Sequence, residues 1–154
     1  MLKWMGMTSN KKFLLISLSL VFFFFIFVSF YKITEKYEIV LGGKVFKMEV
    51  ADTDASRALG LSGHAPLADS EGMIFVFEKP DAYGFWMKDM NFPIDIIWID
   101  ENLKILQIEH SLKPETFPKI FYGSEKTLYV LEITGGQSIF LNLKIGDSIK
   151  FVKR

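Results

Sequence analysis

The sequence predicts a mostly β domain, a compact β-sandwich or barrel-like fold with one or two short helices, preceded by one N-terminal transmembrane helix. Three observations support this fold class. About eight short segments, most of them alternating apolar and polar residues, are separated by turn residues. Helical spacing of apolar residues occurs only in short stretches. Finally, the apolar residues, which make up half of the sequence, include a long uncharged run near the N-terminus.

The uncharged run covers residues 13–31, reads FLLISLSLVFFFFIFVSFY and contains seven of the sixteen phenylalanines. As a helix rising about 1.5 Å per residue it would be about 28 Å long, close to the hydrocarbon thickness of a bilayer. We predict a signal anchor. A cleaved signal peptide should have a shorter apolar region that ends in small residues, whereas the exit here reads FVSFYKITEKY. A buried core helix is the other alternative, although so large a phenylalanine cluster would be hard to cover in a small protein.

Basic residues near the run predict its orientation. The basic residues before the run, Lys3, Lys11 and Lys12, have no acidic neighbours. The basic residues after it, Lys32 and Lys36, are interleaved with Glu35 and Glu38. The positive-inside rule therefore places the N-terminus in the cytoplasm. We predict a single-pass protein of the cytoplasmic membrane, with a cytoplasmic tail at 1–12, the helix at 13–31, a linker at 32–37 and an extracytoplasmic domain at 38–154.

The first half of that domain begins with a hairpin signal, because Gly42-Gly43 joins the alternating segments YEIVL and KVFKMEVAD. The segment DASRALGL then has apolar residues at helical spacing, and Thr53 or Asp52 can cap it. Residues 62–71 are predicted to form a loop. GMIFVFE follows as a short apolar strand that Lys79-Pro80 closes.

The second half begins with FWMKDM and IDIIWID, which Pro93 separates because proline cannot donate in a central ladder. LKILQIEH is an alternating strand, and residues 111–126, with two prolines, are predicted to be a long surface loop. TLYVLEIT is the next strand. After Gly135-Gly136 comes SIFLNL, for which a short helix is one interpretation, and GDSIKFVKR ends the domain as a strand.

Charge and cysteine content exclude several classes of function. From residue 32 onward, 15 Lys and Arg residues stand against 18 Asp and Glu residues, a net charge of −3. This balance argues against a nucleic-acid partner, which would require a basic face. The absence of cysteine excludes disulfides, thiolate metal sites and cysteine nucleophiles.

Charged residues inside apolar strands are the main candidates for a site. In IDIIWID, Ile94, Ile96 and Trp98 point one way while Asp95 shares the other face with isoleucines, so both faces are apolar and the strand is predicted to be central. A buried carboxylate requires hydrogen bonds or a cation. The nearest cation in sequence is Lys88, predicted on the adjoining strand.

Glu132 in TLYVLEIT faces the same requirement, since it shares a face with Leu128 and Val130. Two interpretations remain open. Lys88, Asp95 and Glu132 are either structural ion pairs and backbone-capping carboxylates at strand ends, or a polar pocket that binds a ligand or performs acid-base chemistry.

Other chemical candidates are weaker. Ser62 in GLSGH lacks the second glycine of a nucleophile elbow at the required position. The spacing of His64, Asp69, Glu71 and His110 matches no metal-ligand pattern. Arg57 could clamp an anion or pair with Asp52, Asp54 or Asp69. We therefore predict no catalytic residue, metal or cofactor, and the candidate binding residues are Arg57, Lys88, Asp95 and Glu132.

Five motifs, RALGLSG, GMIFVFE, FWMKDMNFPIDIIWID, VLEITGG and IGDSIKF, occur in that order. Together they resemble the bacterial and archaeal domain-of-unknown-function family 192, from about Val45 to Phe151. The resemblance implies a compact, mostly β domain that often follows an N-terminal signal or anchor, and it implies no activity. Asp89 stands where many members have an amide, and Ser62 where methionine is common. The family motif falls on Arg57, Gly60, Leu61, Gly72, Met73, Phe85, Trp86, Met87, Lys88, Pro93, Asp95, Glu132, Gly136, Gly146 and Asp147.

The function that these observations favour is a noncatalytic binding or accessory module of the cell envelope, anchored in the membrane. Its partner would be an envelope small molecule, a glycan or a protein. A small hydrolase or transferase that uses a Lys/Asp/Glu pocket is the alternative. A third hypothesis is an accessory subunit of a larger membrane complex.

Overall fold

The computed structural model describes residues 36–152. The predicted cytoplasmic tail, the predicted transmembrane helix and most of the predicted linker lie outside the described residues. Within 36–152, no helix combines the length and the apolar character needed to span a bilayer.

The described chain is mostly β with two short helices, which confirms that part of the predicted fold class. A seven-stranded sheet has the strand order β6-β5-β8-β3-β2-β1-β9, and β4 pairs with β7 in a separate ribbon. The strands are β1 Lys36–Leu41, β2 Lys44–Ala51, β3 Glu71–Asp81, β4 Gly84–Phe85, β5 Ile94–Asp100, β6 Ile105–Leu112, β7 Phe121–Tyr122, β8 Thr127–Thr134 and β9 Lys150–Phe151. The α-helices are α1 Asp54–Leu59 and α2 Gln137–Phe140, and Pro114–Thr116 form a 3-10 turn.

The large sheet curls into a half-barrel rather than a sandwich of two sheets. All neighbouring strands of this sheet are antiparallel except β2 and β3. These two strands are parallel, and α1 lies in the connection between them. An isolated bridge joins Lys104, next to edge strand β6, to Ser148, next to edge strand β9. Backbone hydrogen bonds from Ile105 to Asp147 and from Ile149 to Leu103 support this bridge. The two edges of the sheet are therefore held together at one end.

Strand alternation divides the core into two clusters, one on each face of the sheet. Ile96 and Trp98 of β5 belong to one cluster, and Ile97 and Ile99 belong to the other. Both faces of β5 are buried, and β5 lies between β6 and β8. The prediction that β5 is a central strand is confirmed.

Two boundary predictions are wrong for identifiable reasons. Strand β3 continues past Lys79-Pro80 to Asp81, because its ladder with β8 is interrupted between Val76 and Asp81 and Pro80 has no pairing to break there. The segment FWMKDM is not a strand beyond Phe85, since the chain turns at Lys88 and Asp89, and Asp89 has a positive φ of 54°.

Candidate functional site

Asp95 is buried near the start of β5 and accepts four hydrogen bonds. Its Oδ1 accepts from the backbone N–H groups of Ser111 at 2.7 Å and Gly136 at 2.8 Å. Its Oδ2 accepts from the N–H of Ser138 at 2.7 Å and from the Ser138 hydroxyl at 2.6 Å. Backbone donors therefore satisfy this carboxyl group without a cation, which agrees with the backbone-capping interpretation.

The local backbone explains why these donors converge. Helix α2 has Gly136 at its N-cap, and glycine has no side chain to accept from the first turn. Asp95 supplies that acceptor from a neighbouring strand. On the β6 side of Asp95, the register between β5 and β6 is irregular. Ser111 of β6 adopts a φ of 49° there and donates its backbone N–H to the carboxylate.

The prediction that Lys88 lies on a strand and pairs with Asp95 is wrong. Lys88 lies in an exposed turn, and its side chain makes no hydrogen bond or ion pair within residues 36–152. Its backbone carbonyl accepts from the Ser62 hydroxyl at 2.9 Å. The chain turns before Pro93 instead of running as a strand, so the ammonium group faces solvent.

A second polar contact at Asp95 was not anticipated from the sequence. The His110 Nδ1 lies 2.7 Å from the Ser138 hydroxyl oxygen, and that hydroxyl donates to Asp95. Serine thus stands between histidine and aspartate, whereas a catalytic triad places histidine between the other two. The Ser138 hydroxyl donates its hydrogen to Asp95 and is buried, so it is not available as a nucleophile. This cluster is therefore structural. The only sequence signal for it was the Gly135-Gly136 break before a short helix.

A cleft of about 220 Å³ lies under α1 and on the face of the sheet that carries Trp98. Residues 57–62 form one side of it. The capping box between Thr53 and Ser56 fixes the start of α1, and Gly60 ends the helix with a positive φ of 52°. The aromatic residues that line the cleft are Phe75, Phe77, Tyr83, Phe85 and Trp86.

Glu132 of β8 lines this cleft between its strand neighbours Met73 and Ile96. Its side chain is buried, and its Oε2 has no hydrogen-bond partner in the described part of the chain. Burial raises the pKa of Glu132 to about 8, and a backbone hydrogen bond from Leu61 opposes this rise. At neutral pH the unliganded carboxyl group is therefore mostly protonated.

Arg57 lines the same cleft from α1. Its guanidinium donates to the carbonyls of Asp52 at 2.6 Å and Val76 at 2.9 Å and forms an ion pair with Asp54 at 2.6 Å. It also lies over the ring of Phe77, 5.4 Å from the centroid, and that ring stacks on Tyr83 with 3.4 Å between centroids. Of the three predicted acidic partners, Asp54 is thus the one that Arg57 contacts through a carboxylate.

Tyr83 and Ser62 are the hydroxyl-bearing residues of the lining, and both donate to backbone carbonyls. The Tyr83 hydroxyl donates to Lys79 at 2.7 Å, and the Ser62 hydroxyl donates to Lys88. Burial and the neighbouring Asp81 raise the pKa of Tyr83, while Arg57 opposes the rise. Neither hydroxyl is activated as a nucleophile by a base in this arrangement.

The structure thus brings together two of the four candidate binding residues. Arg57 and Glu132 line the cleft, whereas Lys88 and Asp95 are absent from its lining. Within residues 36–152, no group of three His, Asp or Glu side chains is arranged to hold a metal ion. The sequence did not reveal that Phe77 and Tyr83 form part of the cleft.

Comparisons with known proteins give a family and several similar structures. The model of the family DUF192, described as Uncharacterized ACR, matches residues 37–151. A Novosphingobium aromaticivorans protein of unknown function is 34% identical, with 76% of this chain and 84% of that chain covered and a TM-score of 0.69. A Sinorhizobium meliloti protein described as a "putative transcription regulator" is 25% identical, with 77% and 95% covered and a TM-score of 0.70. Among curated proteins, none matches the chain.

Proposed function

The chain belongs to the DUF192 family, and we propose that it is a noncatalytic binding module that holds a small ligand in the cleft under α1. The ligand would place an apolar body against the aromatic lining and a polar head group against Glu132. The net charge of −3 over residues 32–154 favours a small-molecule ligand over nucleic acid, which would require a basic face.

The unpartnered Oε2 of Glu132 carries this proposal. A buried polar group without a partner costs about 1–3 kcal/mol, and most such groups in folded proteins are hydrogen-bonded. Asp95 on the neighbouring strand illustrates the usual solution, with four donors around one carboxyl group. A buried glutamate oxygen that lacks a hydrogen-bond partner at the wall of a cleft is typical of a functional position.

A binding role has more support than hydrolysis or group transfer by a Lys/Asp/Glu set. Both oxygens of Asp95 are occupied by backbone and serine donors, and Lys88 is in an exposed turn outside the cleft lining. Glu132 would have to act without either of them. The hydroxyl of Tyr83 already donates a hydrogen bond to the backbone carbonyl of Lys79.

We also propose that the domain lies outside the cytoplasmic membrane, tethered by a single N-in helix at residues 13–31. The support is the uncharged run and the basic residues that precede it. The ligand would then be a molecule of the cell envelope. Protease added to intact spheroplasts should digest the C-terminal domain, and protection until lysis would contradict this orientation.

The binding proposal can be tested by screening small fragments against the full chain in phospholipid nanodiscs, with thermal unfolding as the first readout. At pH 8, where about half of Glu132 is ionised in the free protein, Glu132→Gln should weaken a ligand that donates to the carboxylate about tenfold, because a hydrogen bond to a charged group contributes about 1.5–3 kcal/mol. Lys88→Met is the matched control, since the Lys88 side chain makes no hydrogen bond or ion pair within the described range, and it should leave binding unchanged. The proposal fails if no fragment binds, or if binding is indifferent to Glu132.

A further inference from the structure

We infer that the ligand of the α1 cleft is a small organic amine whose positively charged nitrogen lies against Glu132 between aromatic rings. This inference rests on the proposed binding function and names the chemical class of its ligand.

The hydrogen-bonding groups of the lining favour a ligand head group that donates. The hydroxyls of Ser62 and Tyr83 already donate to backbone carbonyls, so their hydrogens are not free for a ligand. The Oε2 of Glu132 is buried and has no hydrogen-bond partner in the described part of the chain, so it requires a donor once the group is ionised. An ammonium group has donors and no acceptor, and it therefore matches this lining. Arg57 and the indole N–H of Trp86 are the remaining side-chain donors of the lining.

The aromatic lining favours a cation for a separate reason. The faces of phenylalanine, tyrosine and tryptophan rings attract ammonium groups, and clusters of such rings recognise organic cations. Phe77 in this cleft already lies against both the Arg57 cation and the Tyr83 ring. Phe75, Phe85 and Trp86 supply further aromatic surface, and Trp86 is 44% exposed.

The charges around Glu132 are compatible with a second cation at this position. Besides Glu132, the titratable residues of the lining are Arg57 and Tyr83. The charge of Arg57 is countered by Asp54 at 2.6 Å and by two carbonyl oxygens. We therefore place the amine next to Glu132, with the ligand's other end toward Arg57 neutral or anionic.

The size of the cleft limits the ligand. A volume of about 220 Å³ is below the roughly 300–1,000 Å³ that is usual for drug-sized ligands. It equals roughly seven water molecules at about 30 Å³ each. A phenyl ring with a two-carbon amine chain is a suitable probe for such a space.

An amine ligand implies a definite dependence of affinity on pH. The ammonium group pairs with the ionised form of Glu132, whose pKa in the free protein is about 8. The ionised fraction rises steeply from pH 6 to pH 8, so affinity should rise by roughly one to two orders of magnitude over that interval. A neutral ligand that accepts a hydrogen bond from the protonated carboxyl group would show the opposite trend above pH 8.

The test uses three probes of similar shape: phenethylamine, 2-phenylethanol and phenylacetate. Each is titrated at pH 6, 7 and 8 against the full chain in nanodiscs of zwitterionic lipid, with tryptophan fluorescence as the readout. We expect phenethylamine to bind with affinity that rises with pH, and at pH 8 we expect the alcohol and the acid to bind at least tenfold more weakly than the amine. Glu132→Gln should abolish the pH dependence, and Lys88→Met should preserve it.

The outcomes separate this inference from the binding proposal. If 2-phenylethanol or phenylacetate binds more tightly than the amine and Glu132→Gln changes that binding, the cleft is a binding site and the amine inference is wrong. If amine binding is the same at all three pH values, the inference is also overturned. If none of the probes binds, the amine inference is overturned, and an empty fragment screen in addition overturns the binding proposal. Thermal unfolding of Glu132→Gln verifies that the variant is folded.

Discussion

Replacing Asp95 with asparagine tests the claim that backbone donors, rather than a cation, stabilise the buried carboxylate. The substitution keeps the shape of the side chain and one of its oxygens. That oxygen can continue to accept from Ser111 and Gly136, which share Oδ1 in the native chain. The new amide group must then face Ser138, whose N–H and hydroxyl both donate to Oδ2.

The expected loss of stability follows from these four bonds. The Ser138 hydroxyl can rotate to accept from the new amide, but the Ser138 N–H cannot reverse and is left unsatisfied. Losing one bond to a charged acceptor costs about 1.5–3 kcal/mol. The two retained bonds lose their charge-assisted strength, which is roughly half of their contribution. We therefore expect Asp95→Asn to lower the free energy of unfolding by about 3–6 kcal/mol, a large share of the 5–15 kcal/mol typical of a domain.

Urea unfolding of the full chain, followed by circular dichroism, measures this difference. Asp89→Asn is a matched control, because Asp89 lies in an exposed turn with a positive φ that asparagine also tolerates. We expect the control to change stability by less than about 0.5 kcal/mol. If Asp95→Asn is as mild as the control, the four hydrogen bonds do not have the role assigned to them.

Three further predictions concern the cleft and the core. The free energy of unfolding should fall as pH rises from about 4.5 to about 8, by at most about 1.4 kcal/mol per pH unit from this group, because the folded chain keeps a proton on Glu132 that the unfolded chain loses. Glu132→Gln should remove this component, so equal pH profiles of the two proteins in urea unfolding would contradict the raised pKa. Gly123→Ala should destabilise the protein by about 1–3 kcal/mol, because the added methyl group would overlap the buried Trp98 ring; an unchanged urea midpoint would refute this. Thr53→Ala removes the N-cap of α1 and should cost about 1 kcal/mol, measured as a lower midpoint of thermal unfolding; a midpoint equal to that of the native chain would show that the cap is dispensable.

The sequence was sufficient where one local rule determines the structure. Alternation in IDIIWID predicted a central strand with two buried faces, and β5 is such a strand. Thr53 was predicted as one of two possible caps for the first helix, and it forms the capping box. Gly42-Gly43 was predicted to join a hairpin, and both residues have positive φ in that turn.

The sequence was insufficient where the partner of a polar group is the backbone of a distant segment. The donors to Asp95 come from residues 16, 41 and 43 positions away, and a backbone N–H has no signature in the sequence. Lys88 was nearer in sequence and carried the right charge, so it was the natural candidate. The turn at Lys88 and Asp89 leaves the Lys88 ammonium group in solvent, so Lys88 does not pair with Asp95.

The contrast between the two buried carboxyl groups explains why only one of them is a candidate site. Asp95 lies at a strand end, where a helix N-terminus and an irregular strand supply donors, so its burial is compensated within the fold. Glu132 lies in the interior of β8, where the ladders with β3 and β5 occupy the nearby backbone groups. Leu61 supplies one backbone hydrogen bond to the Glu132 carboxyl group, and Oε2 has no partner in the described part of the chain. A donor from a bound ligand would satisfy this oxygen where the fold does not, and this is the reason why the proposed site is the cleft under α1, which Glu132 lines.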